Sequence, residues 1–379
     1  MSTTSSQRFD KWIANRTLRF ESSGIRRAFA LKAKMKDPID LSIGQPDFDV
    51  PGEVKHEICR AVNENQNGYT PTEGIPALRE KLKQWIDGQL GPNDRKNLVC
   101  SGTSGGITLA MLSFVNPGDE VIFFDPYFVM YPAIVEMVGA VPVPVNTYPD
   151  FQIDIAKLEA KITPKTKMII VNSPSNPTGV CYRPEVIQAV AELARDKGIC
   201  LVSDEIYSRF RFDDDHVSPA MFNPDCLVVD GFSKAAAMTG LRVGFVHGPG
   251  ELIEVMAKLQ QFTFVCSPQP AQWGAIKALD LSMEDEVNSY RRRRDHIVES
   301  LQSYYEIASP GGAFFAFPKL PWGAGDEFQM AAFERNVLLI PGNVFSRHDT
   351  HFRLSYAVSD AKLDQGIEVL KTLARNRAV

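Results

Sequence analysis

Short apolar runs, each ending in small or polar residues and separated by stretches of helical pattern, constrain this chain more than any other feature. They are Leu98-Val99-Cys100, Val121-Ile122-Phe123-Phe124, Met168-Ile169-Ile170-Val171, Ile199-Cys200-Leu201-Val202 and Val228-Val229. A run that is apolar without alternation is a strand buried on both faces, the situation of a parallel sheet covered by helices. The expected fold class is therefore α/β, with a mostly parallel central sheet flanked by helices. Ligands of such sheets bind beyond the carboxyl ends of the strands.

The residues that follow each run are thus the candidates for chemistry. Val228-Val229-Asp230-Gly231-Phe232-Ser233-Lys234 places a lysine rigidly at a strand end. Beside other cations on a pocket floor, its amine loses its proton more readily and can form a Schiff base with an aldehyde. Arg242 follows past a Thr-Gly turn, and its planar fork suits bidentate capture of a phosphate, with the Ser233 hydroxyl as a further donor. One short segment would then hold aldehyde and phosphate together. For a lone lysine and arginine, ordinary surface charge is the competing reading.

After Leu98-Val99-Cys100 comes Ser101-Gly102-Thr103-Ser104-Gly105-Gly106, read as a loop opening a helix over Ile107 to Phe114. Small residues there form a phosphate cradle, because unpaired N–H groups and the positive dipole end converge. The loop is neither a Walker A nor a dinucleotide motif. Val121-Phe124 leads to Asp125-Pro126-Tyr127-Phe128, and Met168-Val171 leads to Asn172-Ser173-Pro174-Ser175-Asn176-Pro177-Thr178-Gly179. Ile199-Val202 ends in Ser203-Asp204-Glu205-Ile206-Tyr207, where a buried carboxylate is costly unless it meets a cation. Arg353, in the strand-like Phe352-Arg353-Leu354-Ser355-Tyr356-Ala357, needs a buried anion, either a substrate carboxylate or one of the protein's own.

At 379 residues, 44% hydrophobic and 23% charged, the chain is an ordinary globular protein with room for two domains. A net charge of -5 argues against nucleic acid as a partner. Arg291 to Arg294 sit inside a polar helical pattern from about Glu286 to Tyr305 and read as a solvated face. No apolar run is long enough to span a bilayer, and the first 20 residues lack the apolar core of a signal peptide. Six cysteines without a Cys-x-x-Cys pair read as thiols of a reducing compartment, so a cytoplasmic location is expected. His348 and His351 have no further ligand cluster beside them, and no metal is expected.

Ser233-Lys234 through Arg242-Val243-Gly244, Asn172 to Gly179, Leu41-Ser42-Ile43-Gly44-Gln45-Pro46-Asp47-Phe48, Tyr69-Thr70-Pro71-Thr72-Glu73-Gly74 and Phe352 to Ala357 together resemble the motifs of a known family. It is the class I and II aminotransferases, of aspartate aminotransferase-like fold type I, matched in order from about residue 40 to residue 357. The resemblance implies pyridoxal 5'-phosphate bound to Lys234. It implies Asp204 on the pyridine nitrogen, Tyr207 and Asn176 on the ring oxygen, and Phe128 on the ring face. Gly102, Thr103, Ser104, Ser233 and Arg242 would hold the phosphate, with Gly44, Asn176 and Arg353 on the substrate side. Tyr69 would reach the neighbouring subunit's phosphate in a homodimer with shared active sites.

The implied domains are an arm over 1–40 contributing to the small domain, a large cofactor domain over 41–270, and a long joining helix and small domain over 271–379. The implied activity moves an amino group between an L-amino acid and a 2-oxo acid, with the Lys234 amine carrying the proton. Ser104 is neutral where one aspartate-using branch of the family has a lysine, and Phe128, Phe314 and Phe315 are available to line an apolar pocket. A neutral or aromatic donor with 2-oxoglutarate as acceptor is therefore expected. Aspartate as donor, and a carbon-sulfur (β-elimination) lyase of the same fold, are the alternatives.

Overall fold

Along β3 (Glu120–Asp125), Val121 and Phe123 belong to one apolar cluster while Ile122 and Phe124 belong to another. Met168 and Ile170 against Ile169 and Val171 in β5 (Thr166–Asn172) repeat the division. Side chains of a strand alternate between faces, so a run apolar at every position has a core on each side. The structure, a computed structural model, describes residues 9–20 and 24–375, so the first eight residues of the expected arm lie outside it. Before β3 come β1 (Ile39–Asp40) and β2 (Lys96–Cys100), and β4 (Val141–Asn146) lies between β3 and β5. The later strands are β6 (Cys200–Asp204), β7 (Leu227–Gly231), β8 (Gly244–Gly248), β9 (Phe315–Ala316), β10 (Val337–Leu338), β11 (Ile340–Pro341) and β12 (Phe352–Ser355).

The main sheet has seven strands in the order β2-β8-β7-β6-β5-β3-β4. Only β8 runs against its neighbours. Asn172 and Asp204 are register partners, and Gly231 pairs with Gly244, so their polar sequels share one edge. A second, antiparallel sheet has the order β11-β12-β9, and β1 pairs in parallel with β10. These strands pack with the helices Glu284–Leu301 and Asp360–Arg375 around Leu41, Phe314, Phe328 and Phe352. Among the described residues no helix is long and apolar enough to cross a membrane.

Two expectations about helices require correction. The stretch read as a loop before Ile107 is already helical, because the helix spans Gly102–Phe114. Glycine costs a helix about 1 kcal/mol relative to alanine, which is why the run reads as a loop. Packing decides otherwise: a Cβ on Gly106 would lie 2.7 Å from Val246 and 3.0 Å from Val229, so the missing side chain lets this helix press directly onto the sheet. The one long joining helix expected at the start of the 271–379 segment is instead two, Gln269–Ala278 and Glu284–Leu301. Arg209 caps the first, donating to the carbonyls of Ala278 (3.3 Å) and Leu281 (2.6 Å), and Glu284, Asp285 and Glu286 favour a new N-terminus. The first helix shares a core with Leu78, Leu82 and Phe232.

Candidate active site

Beyond the carboxyl ends of the parallel strands lies a cavity of about 300 Å3. Every predicted site residue except Gly102 and Tyr69 lines it. A larger cleft of about 920 Å3, bounded by Tyr148, Arg183, Lys319 and His351 among others, holds none of them. Volume therefore does not mark the chemistry here; convergent polar groups do.

Lys234 is at the end of the segment leaving β7, and its Nζ donates to the Gly44 carbonyl at 2.6 Å. Burial lowers its pKa to about 8, helped by the guanidinium charges of Arg353 and Arg242 and opposed by Asp204. Asp204, the last residue of β6, is buried and pushed up to about 6, chiefly by burial. Its Oδ2 accepts from the Tyr131 hydroxyl at 2.8 Å. A carboxylate so placed favours a cation in the cavity. Tyr207 stands edge-on to both Phe314 and Phe315, and burial raises its hydroxyl pKa.

At the other end of the cavity, Arg242 has a left-handed backbone (φ 55°). Its Nη1 donates to Thr239 O at 2.8 Å and its Nη2 to Ser101 O at 3.2 Å. Gly102, at φ 67°, lies behind this guanidinium: a Cβ there would meet Nη2 at 2.6 Å. An N-terminal helix turn with Thr103 and Ser104, faced by an arginine that touches no carboxylate among the described residues, has the chemistry to take a dianion. The residues thus fit pyridoxal phosphate: a cradle for the phosphate, a lysine for the aldehyde and a carboxylate for the ring nitrogen.

Arg353 is 1% exposed. Its Nη1 donates to Asn176 Oδ1 (2.9 Å) and its Nη2 to Ser42 O (2.7 Å), while its buried Nε has no partner. Phe315 and Phe345 sandwich the guanidinium at 4.5 and 4.6 Å. No carboxylate of the described chain pairs with it, and burial lowers its pKa to about 10. Phe315 is thus beneath Arg353 rather than on the cavity wall, and Phe314 is in the core, which corrects the expectation that both line the pocket.

Tyr69 is 88% exposed and outside the cavity of its own chain. Several lining residues went unrecognised in the sequence. Asn172 donates to Asp204 O at 2.9 Å and accepts from Asn176 N at 2.9 Å, holding two strand ends in register. Tyr131, just behind the wall, also meets the Phe128 ring edge-on; it lies three residues on from Phe128, one helical turn away, which was the available signal. Ile25, from the helix Gly24–Lys32, and Ile43 add apolar wall.

The sequence matches the description of class I and II aminotransferases over residues 36–370. A probable aspartate aminotransferase of Methanocaldococcus jannaschii is 36% identical over 374 residues, covering 95% of this chain and 99% of that one. The aspartate/prephenate aminotransferase of Thermus thermophilus is also 36% identical, over 90% and 92% of the two chains. Among solved structures, Thermus thermophilus aspartate aminotransferase with maleate superimposes at a TM-score of 0.91, with 34% identity and coverage of 95% and 99%. An aromatic aminotransferase from Pyrococcus horikoshii does so at 0.85, with 30% identity and coverage of 91% and 98%. A match of this extent in family, sequence and fold makes the chain a member of the class I and II aminotransferases, pyridoxal phosphate-dependent enzymes of fold type I.

Proposed function

We propose that the enzyme moves an amino group from a neutral or aromatic L-amino acid to 2-oxoglutarate, with Lys234 as both cofactor anchor and proton carrier. Bound pyridoxal phosphate supplies an aldehyde for the amino group and a protonated ring that withdraws electrons. Arg353 binds the substrate α-carboxylate, and this reading rests on one observation, a wholly buried guanidinium with no carboxylate of its own chain. Lys234 Nζ, whose lowered pKa of about 8 gives it a larger neutral fraction than an ordinary lysine has, takes the proton from the substrate α-carbon. Asp204 would keep the ring nitrogen protonated, and Asn176 and Tyr207 would donate to the ring oxygen. Thr103, Ser104, Ser233 and Arg242 would hold the phosphate.

Only a neutral lysine amine captures an aldehyde, so cofactor uptake by the apoprotein reports this pKa. Its rate is expected to rise with pH through about 8, well below the 10.5 of an ordinary lysine. Stopped-flow absorbance of the forming holoenzyme measures this; a midpoint near 10.5 would show that the cavity leaves Lys234 unperturbed.

For the donor, the described cations lining the cavity are Lys234, Arg242 and Arg353, each with a task already. An acidic side chain entering without a cation costs several kcal/mol, whereas an apolar one gains about 1.5 to 3 kcal/mol against Ile25, Ile43 and Phe128. Aspartate as donor is the second reading, favoured by the activity named for the Methanocaldococcus and Thermus relatives. Catalytic efficiencies for aspartate, phenylalanine, kynurenine, alanine and methionine decide between them. Aspartate ahead of the rest by about tenfold or more would overturn the first reading.

A homodimer with shared sites is proposed from one exposed face. Tyr69, Phe262 (81% exposed) and Phe264 (39%) lie on segments tied together, since Gln260 donates to Thr72 O and Gln272 to Thr70 Oγ1. Such apolar surface marks a protein contact. Co-refolding Tyr69→Ala with Lys234→Ala is expected to restore activity above that of Tyr69→Ala alone, because mixed dimers hold one site free of both defects. No gain, or an active monomer in sedimentation, contradicts this. All six cysteines are free, which supports the cytoplasmic placement; fractionation with a secreted or organelle marker would overturn it.

A further inference from the structure

A second cavity, of about 320 Å3, lies between the helix Pro76–Leu90, β8 and the segment after β6. Trp85, Ile86, Leu90 and Met221 give it apolar walls. Its polar groups take no part in the chemistry proposed above, and their hydrogen bonding is lopsided. Glu205, 4% exposed, is already satisfied: one oxygen accepts from His216 Nε2 at 2.7 Å and the other from Ser218 Oγ at 2.6 Å.

The donors are not satisfied. His247, 3% exposed, has its Nδ1 2.8 Å from Arg95 Nε, and an arginine only donates. Nδ1 must therefore accept, which leaves the ring proton on Nε2, a group with no acceptor among the described residues. Burial and the Arg95 charge hold this imidazole neutral, with a pKa near 3. Arg209 spends Nη1 and Nη2 on the carbonyls of Ala278 and Leu281, and its Nε donates to nothing described. Gln89 on the helix brings a further amide.

A cleft with apolar walls, one guanidinium and the unmatched Arg209 Nε and His247 Nε2 donors, against a single unpartnered ring nitrogen at His216 Nδ1, suits an anion with an apolar body. A dianion is disfavoured, because the Glu205 carboxylate borders the same space. We propose that this cavity binds a short apolar monocarboxylate, separately from the cofactor cavity. Glu205 follows Asp204 and Ser208 follows Tyr207 directly, so an occupant touches the two segments that present those residues to the cofactor.

The test is calorimetric titration of isovalerate into holoenzyme carrying Arg353→Leu, which removes carboxylate binding in the cofactor cavity. Failure here therefore leaves the reading of that cavity untouched. Saturable binding of one isovalerate per chain is expected. Adding Met221→Trp, which fills the mouth from a half-exposed position, should weaken it about tenfold or more, as should Arg209→Met. A crystal of the Arg353→Leu protein soaked in isovalerate should show the carboxylate beside Arg209 and His247. Binding to the wild type that disappears with Arg353→Leu, binding indifferent to Met221→Trp, or a soaked crystal with the cavity empty would overturn the proposal.

Discussion

Lys234→Ala is expected to lower transamination by about 10^3-fold or more while the protein still takes up pyridoxal phosphate. Loss of a positioned proton carrier alone costs roughly 10^2- to 10^4-fold, and here the same side chain is also the covalent anchor. Binding is expected to persist because Arg242, Thr103 and Ser104, proposed to hold the phosphate, line the cavity apart from the lysine. The signature is a split: equilibrium dialysis shows cofactor retained, while steady-state assays show kcat collapsed. Near-normal turnover would move the proton transfer to another group.

Arg353→Leu carries the second large effect. Removing one partner from a buried charge pair costs about 2 to 5 kcal/mol, so kcat/KM for every α-amino acid should fall by about 30- to 4,000-fold. Ser42 O and Asn176 Oδ1 lose their donor as well, so some decline has a structural origin. A ratio separates the two causes. Wild type should strongly prefer phenylalanine to 2-phenylethylamine, which has the ring and amine but no carboxylate. Arg353→Leu should lose that preference; keeping it would mean that Arg353 serves the fold alone.

Much of this was legible in the sequence because the strands of a covered sheet have no solvent face. Val121 to Phe124 and Met168 to Val171 announce themselves by unbroken apolarity, and the residues just beyond them are where a parallel sheet presents ligands. Lys234 and Asp204 stand out this way and Asn176 through the family resemblance, and the cavity gathers all three. What local pattern missed was set by distant contacts. Gly102 to Gly106 are helical because Val229 and Val246 lie beneath them, far away in the chain. Tyr131 reaches Asp204 across 73 positions, and Arg353 reaches the Ser42 carbonyl across 311. Phe314 and Phe315 look like pocket residues in a glycine-rich run, yet they support Tyr207 and Arg353 from behind. The break between Ala278 and Glu284 depends on Arg209, on a different segment altogether. Donor choice was illegible for another reason: it turns on whether a further cation enters the cavity, and no local motif encodes that.

Lys234 as the anchor of the cofactor is the claim on which the rest depends, and borohydride reduction of the holoenzyme tests it most directly. Reduction fixes the cofactor to whichever amine holds it, and mass spectrometry of a proteolytic digest then locates the added mass. The account predicts one cofactor per chain, on the peptide containing Lys234 and on no other. Label on a different lysine, or a reduced protein that releases all its cofactor on unfolding, would contradict it.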